Sequence, residues 1–250
     1  MKRVLGYSLL GLLAYGVFML IEIPATVMTD LIAQHVPEFT VQDTRGSALR
    51  GSALGIRLRT AQFESLSWQL RFLPLLLGRL KYQFKLTEPE GQLQGTIATG
   101  FDRRYHLDNL KGSLPLAKLA ILIGRPILPL SGQVKLDVAD LQFNVAGHLR
   151  GASGTIHLLS TRTTLGKPLA LGDFSVELSS QEQDIVGSVK DNGGPLEFTG
   201  NLTLAQDGSY RFKGQASVRN ENDRDLRQAL SILGRPGGDG KWKINFSGIL

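Results

Sequence analysis

The sequence predicts a mainly β protein: one N-terminal transmembrane helix, then a curved, mostly antiparallel β-sheet or sandwich with two short packing helices. Three observations carry this. Residues 4–21 hold no charge. Beyond them, stretch after stretch alternates apolar and polar residues by two, the period of a strand with one wet face. Two later stretches break that alternation with helical spacing. The 29 glycines lie largely between the alternating runs, where turns belong. A length of 250 residues and a hydrophobic share of 42% suffice for one large or two small folded domains and argue against disorder.

Lys2 and Arg3 precede the uncharged run, and Glu22 ends it. About 20 apolar residues cross a bilayer as a helix. A cleaved signal has a shorter core, about 7–15 residues, and then a small-x-small site. Residues 22–27, Glu-Ile-Pro-Ala-Thr-Val, offer no such site. The run is apolar all round rather than along a stripe, unlike a buried amphipathic helix. The reading is an uncleaved signal anchor built on Val4, Leu5, Leu9, Leu10, Leu12, Leu13, Phe18, Leu20 and Ile21, with residues 1–23 as cytoplasmic stub and anchor. The positive-inside bias keeps Lys2 and Arg3 in the cytoplasm. The bulk of the chain then lies in the periplasm of a Gram-negative cell, held to the inner membrane by a single pass. Another greasy stretch, "FLPLLLG" (Phe72–Gly78), contains Pro74 and is too short to cross.

The elements follow in order. Residues 24–40 read as a short connecting helix, with Val27, Leu31 and Ile32 at helical spacing. Strands then show as Leu54, Ile56, Leu58; Leu66, Trp68, Leu70, Phe72; Tyr82, Phe84, Leu86; Leu93, Ile97; and Tyr105, Leu107. Val134, Leu136 and Val138 give way to Leu141, Phe143 and Val145, a step of one that predicts a turn or bulge near Ala139–Asp140. The most regular piece is Pro195–Val218. Leu196, Phe198, Gly200, Leu202 and Leu204 alternate with polar residues. So do Tyr210, Phe212, Gly214, Ala216 and Val218, beyond an Asp207-Gly208 turn. "PLAKLAILIG" (Pro115–Gly124) reads as one packing helix, proline first and glycine last. "ENDRDLRQALSILG" (Glu221–Gly234) reads as the other, with Asn222 as cap and Leu226, Ala229, Leu230 and Leu233 on one face. Both runs of strands end in such a helix. Residues 41–250 therefore read as a β-rich periplasmic domain with a two-fold internal repeat, about 41–126 and 130–250. Trp68, Phe143, Phe198, Leu202, Leu204, Tyr210 and Phe212 mark the candidate apolar face. Most of the 195–218 hairpin's apolar side chains are expected under the sheet's own helices.

Chemistry is hard to place in this sequence. Without cysteine there is no thiol catalysis, disulfide or thiolate zinc site. His35, His106, His148 and His157 have no metal-ligand spacing. No nucleophile elbow or phosphate loop occurs, and "DNGG" and "DGSY" read as turns. The net charge of +6 is scattered, without the basic stripe of a nucleic-acid binder. No catalytic, metal or cofactor residue is assigned, and the expectation is a non-enzymatic protein.

The C-terminal half then becomes specific. Gly194-Pro195-Leu196, Gly200, Leu202-Thr203-Leu204, Asp207-Gly208-Ser209-Tyr210, Arg219, Leu226…Leu230…Leu233-Gly234, Asp239-Gly240 and Ser247-Gly248 resemble the signature of the type II secretion system protein N family. "WQLRFLPLLLGRL" and "GSLPLAKLA" are similar to two of its earlier segments. "RGSALRGSA" departs from it, with Leu49 where an aromatic is common. The resemblance covers about 40–250. It implies an inner-membrane accessory of the machine that exports folded proteins from the periplasm, with the inner-membrane platform or the outer-membrane secretin as partners. The alternative is a periplasmic β-groove contacting lipid or another hydrophobic ligand. No nucleic acid is expected as a partner.

Overall fold

The computed structural model describes residues 22–36, 38–75, 77–100, 104–122, 130–145, 147–163, 168–181, 184–220, 222–232 and 234–249. The predicted anchor, Val4 to Ile21, lies outside them. Among the described residues no helix is long and apolar enough to cross a membrane.

The chain forms α1 (Ala25–His35), β1 (Phe39–Thr40), β2 (Asp43–Gly46), β3 (Arg50–Leu58), β4 (Ala61–Leu70), α2 (Phe72–Leu75), β5 (Leu80–Glu88), β6 (Gly91–Thr99), β7 (Tyr105–Pro115) and α3 (Leu116–Leu122). It continues through β8 (Leu130–Phe143), β9 (Leu149–Thr163), β10 (Ala170–Gln181), β11 (Asp184–Asp191), β12 (Leu196–Leu204), β13 (Ser209–Val218), α4 (Arg224–Ser231) and β14 (Trp242–Ile249). All fourteen strands belong to one sheet, and from β3 onward their order in space is their order in sequence. Every pairing is antiparallel, as short connections require. β1 and β2 both pair with β3, at different stretches, and make one margin; β14 is the other. Of the two predicted architectures, the single sheet is observed and the sandwich is not.

Local chemistry sets the turns. Between β12 and β13 the Asp207 carboxylate accepts from the Ser209 amide at 2.8 Å, and Gly208 takes φ 85°. That is the left-handed region glycine enters at no steric cost. The phase step in β8 is a bulge within one continuous strand, since the register against β9 shifts between Val138 and Asp140. A second step was not foreseen. Gly55 has φ 61° in β3, and in β4 buried Ala61 and Phe63 give way to buried Trp68 and Leu70. The buried residue before that step is Ala53, rather than the expected Leu54.

The helices also correct their predictions. α1 buries Ala25 and Thr29 and packs Met28 on the core, whereas Val27 and Leu31 are half exposed. Small residues at i and i+4 let the helix lie close on the sheet. α4 is capped by Asp223 rather than Asn222: its carboxylate accepts from the Leu226 amide at 3.0 Å. Leu226 and Leu230 are its buried residues, and Leu233 lies outside the described set.

Candidate functional site

The register sorts the side chains into two faces. One row runs Ala53, Leu66, Leu86, Leu93, Gly112, Leu136, Ile156, Val176, Val189, Gly200, Gly214, Ile244 across β3 to β14. Every member is apolar or glycine. The adjacent row, on the other face, runs Ser52, Ser67, Lys85, Gln94, Lys111, Asp137, Thr155, Glu177, Ser188, Asn201, Lys213, Asn245. Every member is polar. Directly opposed residues in a sheet share a face. The candidate site is therefore a surface: one unbroken apolar face, twelve strands wide.

Cover on that face is uneven. α1 and α3 pack over the first strands, in a core that includes Phe63, Trp68, Leu110, Leu114, Leu116 and Val134. Trp68 is buried there, and its indole N–H donates to the Ser47 and Ala48 carbonyls at 3.2 and 3.1 Å. Gly51 makes room for its ring, since a Cβ there would sit 2.7 Å from it. α4 packs on Phe174, Leu196, Ala216 and Trp242. Leu158 touches both clusters and joins them.

The predicted face residues divide accordingly. Phe198 packs against the α4 cluster. Leu204 is buried and Tyr210 half-buried, but in a cluster with Ala152, Ile185 and Leu178 to which no described helix contributes. Leu202, Phe212 and Phe143 are half-buried and belong to none of these clusters. The expectation that helices cover most of the 195–218 hairpin is thus corrected. Leu196 and Phe198 meet α4; Leu202, Leu204, Tyr210 and Phe212 lie beyond an eight-residue helix seated at one end of the strands.

There the face covers itself with rings. Phe198 stacks on Phe212 with centroids 6.1 Å apart, and Phe212 on Phe246 at 4.8 Å. Phe174 meets Phe198 edge-on, and Tyr210 meets Phe246 likewise. Gly200 and Gly214 form the floor under Phe212: a Cβ on either would fall within 3 Å of its ring. The ladder ends at Phe246, 51% exposed on the sheet's last strand. Sequence reasoning missed Phe246, although Trp242, Ile244 and Phe246 alternate as strand residues do.

Charged groups lie at the border of the apolar face and on the polar one. Glu88 is buried and paired with Lys118 of α3, whose ammonium also donates to the Gln62 carbonyl at 2.9 Å and lies 5.6 Å above the Phe63 ring. Burial lowers the Lys118 pKa. Burial alone would raise the Asp191 carboxyl, but the amides of Phe198 and Gly193 and the Arg219 guanidinium at 2.6 Å outweigh it and hold it below the usual range. His106, Asp108 and Asp140 offer ligand atoms within 4.8 Å of one another, half-buried on the polar side. Pairing of β7 with β8 sets Asp108 directly opposite Asp140, a repulsive placement. Lys81 answers it at 2.9 Å from Asp108, and His106 lies 3.7 Å from Asp140. The Lys81 ammonium occupies the cationic position there, so the group reads as a charge-balanced pairing. It borders a cleft of about 1000 Å³ beneath Leu73, Pro74 and Leu77. No arrangement of nucleophile, base and orienting group is found among the described residues.

Comparison with known proteins places the chain in a family. A family model described as type II secretion system (T2SS), protein N, matches residues 37–245. The chain is similar to the type II secretion system protein N of Vibrio cholerae serotype O1, 27% identical over 262 residues with both chains covered in full. The protein of that name from Aeromonas hydrophila is 25% identical over 264 residues, covering 99% of each chain. That of Pectobacterium carotovorum is 27% identical over 243 residues, covering 95% of this chain and 94% of its own. No solved structure matches. Together with the resemblance read from the hairpin and helix motifs, these matches show that the chain belongs to the type II secretion system protein N family.

Proposed function

We propose that the chain is a non-enzymatic inner-membrane component of the type II (general) secretion pathway, aiding export of folded proteins across the outer membrane by binding other secretion components. On this reading residues 1–23 are the cytoplasmic stub and single-pass anchor, 24–40 the connector and 41–250 the periplasmic domain, its halves 41–126 and 130–250 being related units. Family membership supports the pathway. The observation that carries the binding role is the β14 margin: an eight-residue edge strand without proline, its single Lys243 on the polar face and Phe246 exposed on the apolar one. Such an edge accepts an added strand through main-chain hydrogen bonds. A strand from the inner-membrane platform or the outer-membrane secretin would meet the Phe212–Phe246 stack on one face and Lys213 and Asn245 on the other. A photo-crosslinking residue placed at Phe246, or along Tyr210–Val218, tests this in secreting cells. Capture of a secretion component, absent from the same probe at Glu90, is expected; no capture counts against the reading.

One observation favours a second reading. Leu202, Phe212 and Phe246 lie on the apolar face outside the clusters that the described helices join, as a groove for lipid or another hydrophobic ligand requires. Mass spectrometry of the purified full chain decides it. Lipid retained by the wild type and lost from Phe212→Asp would support the groove, and equal lipid in both would sink it.

A further inference from the structure

The turn between β4 and β5 carries apolar side chains that the sheet does not use. Phe72, Leu73, Leu75 and Leu77 are 59%, 79%, 39% and 77% exposed. Arg71 and Arg79 bracket them, both exposed. The turn is built, not merely a connection. α2 makes its first half, and the amides of Leu77 and Arg79 return to the Pro74 carbonyl at 3.0 and 2.9 Å. That of Gly78 returns to Leu75 at 2.9 Å, with Gly78 at φ 68°. Four large apolar side chains are exposed in one compact turn, Leu73 and Leu77 at the rim of the cleft described above. A guanidinium lies on either side, that of Arg71 also donating to the Gln83 side-chain oxygen at 2.7 Å. Such a patch complements an apolar surface with negative charge at its rim.

The position of the turn says which partner. The N-terminal run of the chain joins the fold at Ile23 and Pro24. The Ile23 carbonyl accepts from the Ala48 amide at 2.8 Å, and Pro24 bridges Ser47. One residue on, the Leu49 carbonyl accepts from the Leu70 amide at 2.7 Å, and the amide of Arg71, which opens the turn, donates to the Lys81 carbonyl at 2.8 Å. The point where residues 4–21 join and the exposed turn therefore lie at the same end of the strands. They are two or three strand spacings apart, roughly 10–15 Å. Glu90, in the β5–β6 turn, lies at the opposite end of the same strands.

We propose that Phe72, Leu73, Leu75 and Leu77 of this turn insert into the outer leaflet of the bilayer that residues 4–21 cross, with Arg71 and Arg79 at the lipid phosphates. This rests on the anchor reading given above and deepens it. A single helix leaves the sheet free to swivel. A second, interfacial contact fixes its tilt, with the α3 and α4 end of the strands away from the membrane. It also holds the β14 margin at a set height in the periplasm, where a partner strand would meet it. Apolar side chains beside basic ones are the composition that interfacial contacts use.

The chain has no cysteine, so one introduced thiol gives one label. Leu73→Cys, Leu77→Cys, Leu13→Cys and Glu90→Cys are each labelled with an environment-sensitive fluorophore. The full chain is reconstituted into vesicles of equal parts phosphatidylethanolamine and phosphatidylglycerol. Labels at 73 and 77 are expected to shift to the blue and to be quenched by acyl-chain nitroxide lipids, as at 13, while the label at 90 does neither. Water-like emission at 73 and 77 with quenching at 13 overturns the insertion and leaves the anchor standing. Water-like emission at all three overturns both. A blue shift at 73 and 77 without nitroxide quenching would put protein rather than lipid against the turn and also overturns the proposal. All three sheet-side positions are exposed, so the labels do not compete with packing.

Discussion

Leu114 on β7 and Phe212 on β13 stand on the same apolar face of one sheet, and their surroundings differ. Leu114 is fully buried in a core of fourteen buried side chains that draws on α1, α3 and β3–β8. Phe212 is half-buried, between two glycines and two phenylalanine rings, and among the described residues no helix joins it in a buried cluster. Among the described residues, the cluster of the second half under α4 has six fully buried members, and the one beyond the helix has three. The alternation that makes the strands is the same in both halves. What differs is the chain available to lie on them. α1 and α3 together span the first strands, while α4 reaches one end of the last ones. The first half is a closed core, and the second is a partly open face at a free margin.

Substitutions that remove cover should therefore cost stability in the first half and contacts in the second. Leu114→Ala is expected to lower unfolding free energy by about 3–4 kcal/mol, against about 1 kcal/mol for Leu202→Ala, read from denaturant midpoints of the full chain in detergent. Equal losses would dissolve the distinction. Lys118→Met leaves the Glu88 carboxylate buried without its partner and should cost about 3 kcal/mol. Adding Glu88→Leu should restore most of it, and failure to do so would mean that the pair is not what holds α3 down. The smallest effect belongs to the second half and depends on pH. The Asp191 carboxyl is held below its ordinary value of 3.8, so its contribution is complete above that pH and fades as pH falls through the lowered value. Arg219 is half exposed, which limits the pair to about 1 kcal/mol or less. Arg219→Gln should flatten the acid end of the stability profile, and an unchanged profile would assign that end to other carboxylates.

Much of this was legible because local rules decide it. The 195–218 hairpin, its Asp207-Gly208 turn and the bulge near Ala139–Asp140 follow from alternation and turn chemistry within a few residues. The cap of α4 was misplaced by one residue because Asn222 and Asp223 are both good caps, and only the register of the helix on Leu226 and Leu230 chooses between them. The spacing of Val27, Leu31 and Ile32 marks α1 as a helix but not its inward face, because close packing on the sheet selects the smaller Ala25 and Thr29. The alternation of Trp242, Ile244 and Phe246 is local, but the meeting of Phe246 with Phe212, and separately of His106 and Asp108 with Asp140, comes only through strand pairing, which no local pattern encodes.

The sequence by itself determined that the chain makes antiparallel strands with one apolar face, where most of them turn, and which family it belongs to. Those follow from period, glycine and aspartate placement, and recurrent motifs. Only the tertiary structure decided that the strands join in one sheet and not two. It also decided that a single apolar row runs unbroken from Ala53 to Ile244, and that helices cover one part of that face and leave another to stacked rings. Register and cover are long-range properties. They depend on which strands meet and how far each helix reaches, and a period of two is satisfied equally by a closed core and an open face.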